Sequence, residues 1–175
     1  VPDLQGMKVR ISSPGESRLI QSWGAVPVAM PITESYNALN SGVVDAVLIQ
    51  PSAIYQPWNL AEPAQFVTAN TPSPTSIVGL IMNKKSWEAL PADQQAALDN
   101  LSGRAFSIKA SILWSRKDVD ALARARSDKG ITVIDLPDQA RDAFDAAAQT
   151  AINAHLDRLE KEGIHARDIY QAFKR

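Results

Sequence analysis

Short apolar runs separated by amphipathic segments fill the first 50 positions of the chain. Three of the runs predict β-strands, at 8–11, 26–30 and 43–49. Two amphipathic segments between them predict helices, at 16–23 and 33–41, with Thr33 as the expected N-cap. Gly24 and Gly42 are expected to end these helices, because glycine adopts the left-handed conformation of a helix C-terminus. The connections are long enough for crossovers between parallel strands, so the pattern predicts a parallel α/β sheet.

Longer helical periodicity dominates the second half. Apolar residues recur at spacings of three, four or seven from Leu98 to Leu122, which predicts a long helix whose weak point is Gly103. A second long helix is predicted from about 138, and Gly163 interrupts it. Shorter elements are also predicted, namely strands at 65–68, 76–82 and 131–136 and helices at 84–90 and 166–173.

The late strand at 131–136 is expected to join the first sheet. A chain that leaves a sheet and later returns to it indicates two lobes. The expected division has residues 1–76 and 117–145 in one α/β lobe and residues 77–116 in the other. Residues 146–175 would then form a long helix that spans the molecule.

Composition and charge narrow the classes of function. The 175 residues are 45% hydrophobic and 21% charged, as in an ordinary globular protein. A net charge of −1 gives no electrostatic case for nucleic acid or an anionic membrane as a partner. Cysteine is absent, which excludes disulfides, thiolate nucleophiles and cysteine-bound metals. No basic and apolar leader opens the chain, so we expect a signal peptide to have been cleaved or an N-terminal part to be missing.

Catalytic and cofactor motifs are missing from the sequence. No P-loop, GxGxxG, GxSxG or HExxH pattern occurs, and His155 and His165 lack the spacing of a metal-ligand pair. We therefore expect no cofactor, no metal and no enzymatic activity. The alternative is an enzyme on a similar two-lobed fold. Its only candidate residues are Lys8 and Lys84, and neither belongs to a motif.

Six blocks of sequence, in the same order and spacing, resemble the periplasmic solute-binding proteins of TRAP transporters, of the dicarboxylate-binding type. They are DLQGMKVR at 3–10, WGAVPVAMP at 23–31, TESYNAL at 33–39, SGVVDA at 41–46, MNKKSW at 82–87 and LPADQQ at 90–95. The resemblance implies a periplasmic-binding-protein-like (type II) α/β fold with two lobes around a cleft and long C-terminal helices. Members are about twice this length, so the chain resembles a C-terminal fragment holding the second lobe and part of the first.

The resemblance also implies a function. A periplasmic binder of this kind captures a small organic acid and delivers it to the membrane permease subunits. A ligand-sensing module that presents its bound state to a receptor is an alternative. A lobe without its partner exposes apolar surface, so we expect a homodimer formed by exchange of the long helices, or association with the missing half. Ligand binding by the fragment should be weak.

Arg10 is the leading candidate for contact with the ligand. It falls near the carboxyl end of the first strand, where ligands of open α/β sheets collect. A guanidinium group can give a carboxylate two parallel hydrogen bonds, and in the resembling family an arginine of this block pairs with the substrate. The alternative is an arginine on an exposed strand.

Five further residues are weaker candidates. Ser13 lies before a helix N-terminus, where free amides suit an anion, although turn and capping chemistry would explain it equally well. Gln50 and Ser52 follow the third strand, where the family often has an asparagine and this chain has an apolar stretch at 46–49. Trp58 offers an apolar surface to a ligand, and Ser76 lies where the chain would cross the cleft.

Overall fold

A computed structural model describes residues 2–72 and 78–173 of the chain. Its strands are β1 Lys8–Ile11, β2 Val26–Ala29, β3 Ala46–Val47, β4 Phe66–Thr68 and β5 Thr132–Ile134. Its helices are α1 Pro14–Ser22, α2 Ile32–Asn40, α3 Lys84–Glu88, α4 Ala92–Leu101, α5 Gly103–Ser127, α6 Asp138–Lys161 and α7 Ala166–Phe173. Two short 3₁₀ helices lie at Pro2–Leu4 and Pro51–Ala53. None of the described helices combines the length and hydropathy needed to cross a membrane.

The first sheet is parallel, with strand order β2-β1-β3. This confirms the predicted β-α-β-α-β succession. Gly24 and Gly42 have φ values of +82° and +72°, as expected for residues that end helices. Thr33 is not the N-cap of α2, because Pro31 takes that position and its carbonyl accepts the amide of Glu34.

The predicted strand at 43–49 is wrong in length, since β3 has two residues. At its start the side chain of Asp45 takes the place of a backbone partner, and its Oδ2 accepts the amide of Lys8 at 2.8 Å. After Leu48, whose amide donates to the carbonyl of Arg10 at 2.9 Å, the chain leaves the sheet for the 3₁₀ helix at Pro51. Proline has no amide to donate, so strand pairing stops there.

The helices α1 and α6 pack against this sheet through one hydrophobic core. Val9 and Ile11 of β1 pack in a buried cluster with Ile20, Trp23, Ala25 and Phe144. The rings of Trp23 and Phe144 meet edge to face, with centroids 5.0 Å apart and planes at 87°. The indole Nε1 also donates to the carbonyl of Phe144 at 3.3 Å. Trp23 is therefore a core residue.

A second, two-stranded sheet pairs β4 with β5 in parallel. The prediction that 131–136 joins the first sheet is therefore wrong. The side chain of Asn70 reinforces the pairing, because its Oδ1 accepts the amide of Leu136 at 2.7 Å and its Nδ2 donates to the carbonyl of Leu136 at 3.0 Å. A small core of Ile54, Ala125 and Ile131 lies beside this sheet.

Residues 78–119 are largely exposed. The long helix predicted after Pro91 breaks into α4 and α5 at Gly103, whose φ is +72°. The strand predicted at 76–82 is absent over 78–82, and its first two residues lie outside the described part of the chain. We call the exposed apolar side chains of this segment the apolar face: Val78, Leu80, Ile81, Met82, Leu98, Leu101, Phe106, Ile108, Ile112, Leu113, Trp114 and Val119.

Candidate ligand-binding site

Arg10 lies near the carboxyl end of the central strand β1 and is 3% exposed. Side chains alternate along a strand, so Arg10 points to the face of the sheet opposite the one where Val9 and Ile11 pack. Its Nε and Nη2 donate to the carbonyl of Met30 at 3.1 and 2.9 Å. Its Nη1 is 3.4 Å from the hydroxyl of Ser12. Met30 follows β2, so the guanidinium group bridges the ends of two neighbouring strands.

A buried carboxylate lies next to this arginine. Glu16 is 5% exposed, and its Oε2 accepts the amides of Ser12 and Ser13 at 2.6 and 3.4 Å. Its Oε1 is 3.4 Å from the hydroxyl of Ser12. The carboxylate thus occupies the amides at the start of α1, where negative charge is favoured by the helix dipole. Ser12 connects it to Arg10.

The charge of Arg10 is incompletely compensated inside the protein. Burial lowers the pKa of its guanidinium group, and the negative charge of Glu16 partly offsets this effect. Arginine nevertheless remains protonated in proteins. Within the described part of the chain, no carboxylate forms an ion pair with it, and each of its two terminal nitrogens has one acceptor for two hydrogens. A buried cation with donors to spare is suited to an anionic ligand.

The other sequence candidates divide into two groups. Ser13 and Gln50 lie near Arg10 in the fold, since Ser13 is the N-cap of α1 and Gln50 follows β3, which pairs with β1. The amide of Ser13 donates to Glu16, and its side chain takes part in the capping box at the start of α1, so Ser13 is engaged in capping chemistry. Gln50 is exposed.

Ser52 and Trp58 are not joined to Arg10 by any hydrogen bond within residues 2–72 and 78–173. The amide of Ser52 donates to Oδ1 of Asp118 on α5 at 2.8 Å, which ties the segment after β3 to that helix. Trp58 is half-buried and follows a cis peptide bond between Gln56 and Pro57. Ser76 lies outside the described residues.

Sequence reasoning missed the residues that hold Arg10 in place. The sequence pattern predicts Glu16 in a helix and gives it no role, although its position three residues after Ser13 is the spacing of a capping box. That signal was available. The acceptor on Met30 is a backbone carbonyl and has no sequence signature. Among the described residues no group of three histidine or acidic side chains could hold a metal ion.

The described residues form an α/β fold with a buried arginine near the carboxyl edge of a parallel sheet, the edge where ligands of open α/β sheets collect. Comparison with known families agrees with this class. The chain belongs to the DctP family of bacterial extracellular solute-binding proteins, family 7, whose model matches residues 1–158. The resemblance identified from the six sequence blocks is therefore confirmed at the level of the family.

Two relatives illustrate the match. The C4-dicarboxylate-binding periplasmic protein DctP of Rhodobacter capsulatus is 27% identical over 169 residues, which cover 94% of this chain and 49% of the relative. The outer membrane transporter protein TsaT of Comamonas testosteroni is 30% identical over 178 residues, which cover 97% of this chain and 51% of the relative. The chain therefore spans about half the length of these relatives.

Solved structures show the same fold. A TRAP solute-binding protein from a marine metagenome, specific for aromatic acid ligands and bound to metahydroxyphenylacetate, is 25% identical with a TM-score of 0.83. The alignment covers 97% of this chain and 54% of that one. A TRAP periplasmic protein from Bordetella bronchiseptica with bound (R)- and (S)-mandelate is 25% identical with a TM-score of 0.78, over 95% of this chain and 52% of that one. The α/β fold is thus that of about half of a TRAP periplasmic binding protein.

Proposed function

We propose that this chain is part of the substrate-binding component of a TRAP-type secondary transporter. It holds a small organic acid in the periplasm and delivers it to the membrane permease subunits. The observation that carries the proposal is Arg10, a buried cation without an ion-pair partner in the described part of the chain, near the carboxyl edge of a parallel sheet. A carboxylate bound there supplies the missing negative charge through charge-assisted hydrogen bonds.

The network around Arg10 supports binding rather than catalysis. Glu16 is the nearest carboxylate to it in the hydrogen-bond network, and its oxygens are already engaged by Ser12 and Ser13. A carboxylate whose oxygens already accept hydrogen bonds from the protein has fewer acceptor positions left to take a proton from a ligand. The geometry therefore favours a site that holds an anion without transforming it.

The body of the ligand is proposed to be aromatic. Residues 46–49 are an apolar stretch beside β1. Ala46 and Leu48 pack on the core face of the sheet, whereas half-buried Val47, the register partner of Arg10, alternates with them toward the other face. Trp58 adds a half-buried aromatic surface in the following segment. The two solved structures at 25% identity bind metahydroxyphenylacetate and mandelate, each a carboxylate on an aromatic ring. An apolar wall fits such a ring better than it fits the second charge of a dicarboxylate.

The apolar face, apart from Val119, is proposed to belong to a different lobe from the first sheet. In this division, residues 1–76 and 117–145 form one lobe, 77–116 contribute to the other and 146–175 span them. Leu80 and Ile81 are 89% and 98% exposed, and such exposure of large apolar side chains to water is unfavourable. Since the chain matches about half of its relatives, we propose that the rest of a longer protein covers this face. Where that part is absent, a second copy would cover it, and exchange of the long helices would give a homodimer.

The test is ligand binding by the full-length protein after substitution of Arg10. Calorimetric titration with (R)-mandelate should show that Arg10→Met weakens binding by about 100-fold or more, since a carboxylate left unpaired in a buried site costs roughly 3 kcal/mol. Arg10→Lys should give a smaller loss, because an ammonium group keeps the charge and loses the planar fork. Arg104→Met, which removes an exposed charge on α5, is the matched control.

Two results would count against the proposal. An unchanged dissociation constant in Arg10→Met would remove Arg10 from the site. Binding of succinate that is as tight as that of (R)-mandelate would remove the aromatic assignment and leave the carboxylate assignment in place. Circular dichroism and urea unfolding of each variant separate loss of binding from loss of folding.

A further inference from the structure

A cleft between α1 and α6 forms a second concentration of positive charge, apart from Arg10. Its volume is about 540 Å³, and its lining includes alanines of α6 together with Arg18, Gln21, His155 and Arg158. The helices α1 and α6 pack on the face of the first sheet where Val9 and Ile11 lie. The side chain of Arg10 points to the opposite face, so the two sites are separate.

Two arginines converge on one nitrogen in this cleft. A terminal nitrogen of Arg18 contacts Nδ1 of His155, and Nη2 of Arg158 is 3.4 Å from the same atom. An imidazole nitrogen has one lone pair, whereas the two guanidinium groups together have ten N–H donors. One histidine therefore cannot satisfy both arginines. A carboxylate can, because its two oxygens provide about four acceptor positions.

The local charges also leave an excess of positive charge. Arg158 forms an ion pair with Glu162. On the neighbouring α7, Arg167 pairs with Asp157, and its amide donates to Glu160 at 2.8 Å, so both carboxylates are engaged. Arg18 forms no ion pair with any carboxylate of the described chain. One cation that lines the cleft is thus without a counter-charge among the residues that the structure describes.

The pKa of the His155 imidazole agrees with this excess of positive charge. Burial lowers the pKa of its imidazole, and the charges of Arg18 and Arg158 lower it further, while Glu162 acts in the opposite direction. At neutral pH the ring is therefore uncharged, and its Nδ1 accepts from the arginines. An added anion would reverse the balance of charge around the ring.

We propose that the α1–α6 cleft binds a small free carboxylate anion between Arg18 and Arg158. Arg18 then turns from Nδ1 of His155 to the carboxylate, and the freed imidazole can take up a proton. Binding strengthens as the pH falls through the titration of His155, because the protonated ring adds a third positive charge. The site is partly open to solvent, so added salt weakens it.

The experiment is a titration of the full chain with succinate at low, constant ionic strength, followed through the NMR resonances of the two imidazoles. Succinate should shift His155 and raise its titration midpoint, while exposed His165 serves as the internal reference. Succinamide has the same length without charge and should leave both unchanged. Arg18→Gln should weaken the response of His155 to succinate about tenfold or more, and Arg104→Gln should not change it.

Three outcomes would overturn the proposal. The first is no shift of His155 with succinate. The second is an equal shift in Arg18→Gln, which would mean that the anion does not bind through this arginine. The third is an equal response of His165, which would indicate general ionic effects. Neither the titration nor these outcomes depend on Arg10, so failure here leaves the proposed transport function untouched.

Discussion

Phe144 and Phe106 provide a direct test of how the chain divides. Phe144 of α6 is 5% exposed and packs edge to face on Trp23 in the core of the first sheet. Phe106 of α5 is 46% exposed and belongs to the apolar face. The same substitution, phenylalanine to alanine, therefore removes a core contact at one position and surface area at the other.

The magnitudes follow from burial. A buried phenylalanine removes roughly 150–250 Å² from water, and its replacement by alanine costs about 3–5 kcal/mol, including an aromatic pair of about 1 kcal/mol. We take about 4 kcal/mol for Phe144→Ala. With a urea m-value of about 2 kcal/mol per molar, the unfolding midpoint should fall by about 2 M. Phe106→Ala should change the free energy of unfolding by about 0.5 kcal/mol or less, as for other surface positions.

The assay is urea unfolding of the chain by circular dichroism at about 2 μM and again at a concentration about fifty times higher. If a second copy covers the apolar face, the cost of Phe106→Ala grows with concentration, because dimerisation stabilises the folded state by mass action. The cost of Phe144→Ala from lost core packing is present at both concentrations. In a longer protein that includes a preceding lobe, Phe106→Ala should cost several kcal/mol, as a core substitution does.

Equal costs for the two variants at the low concentration would refute the reasoning. Phe106 would then be covered within a single chain, and the division of the molecule at about residue 117 would be wrong. If Phe144→Ala lowers the free energy of unfolding by less than about 1 kcal/mol, the packing of this ring does not hold α6 against the first sheet.

Two further substitutions test particular contacts. Ser35 is 0% exposed, and its hydroxyl has no hydrogen-bond partner within the part of the chain described. Ser35→Ala should therefore raise the free energy of unfolding, measured by urea titration, by about 1 kcal/mol. A lower free energy of unfolding in the variant would show that the hydroxyl is bonded. Both terminal nitrogens of Arg126 donate to Asp135, at 2.7 and 2.8 Å, and these bonds lower the pKa of the carboxyl group. The resulting stabilisation is present above the ordinary pKa of aspartate and is lost as the pH falls through the lowered pKa of Asp135. Between about pH 5 and pH 3 the melting temperature should therefore fall less in Asp135→Asn than in the unsubstituted chain.

Local signals were sufficient for the first sheet. The apolar runs, the glycines after α1 and α2 and the lengths of the crossovers together determine β1 and β2 and the parallel pairing of β1 with both neighbours. Arg10 was placed at the carboxyl edge for the same reason. These features depend on residues close together in the sequence, where periodicity and helix-ending glycines are informative.

The pairing of strands that are distant in the chain could not be predicted from the sequence. β5 pairs with β4, more than sixty positions earlier, and nothing in its composition distinguishes that partner from the first sheet. The apolar run at 78–82 was predicted as a strand, but no strand of the described residues lies beside it to accept its hydrogen bonds. The same limit hid the carbonyl of Met30 next to Arg10, because only the fold brings a backbone acceptor to a side chain 20 residues away.

The length of α5 has a mechanical consequence. The helix has 25 residues, so at about 1.5 Å per residue it is a rod of roughly 37 Å. Its C-terminal part is anchored by Ala125, which is 0% exposed, and by Asp118, which binds the amide of Ser52. A tilt of about 10° about Asp118, which lies roughly 22 Å along the helix from Gly103, therefore moves the end at Gly103 by about 4 Å. A small adjustment of the segment after β3, which is tied to α5 through Ser52 and Asp118, is thus amplified into a displacement larger than the width of a carboxylate group.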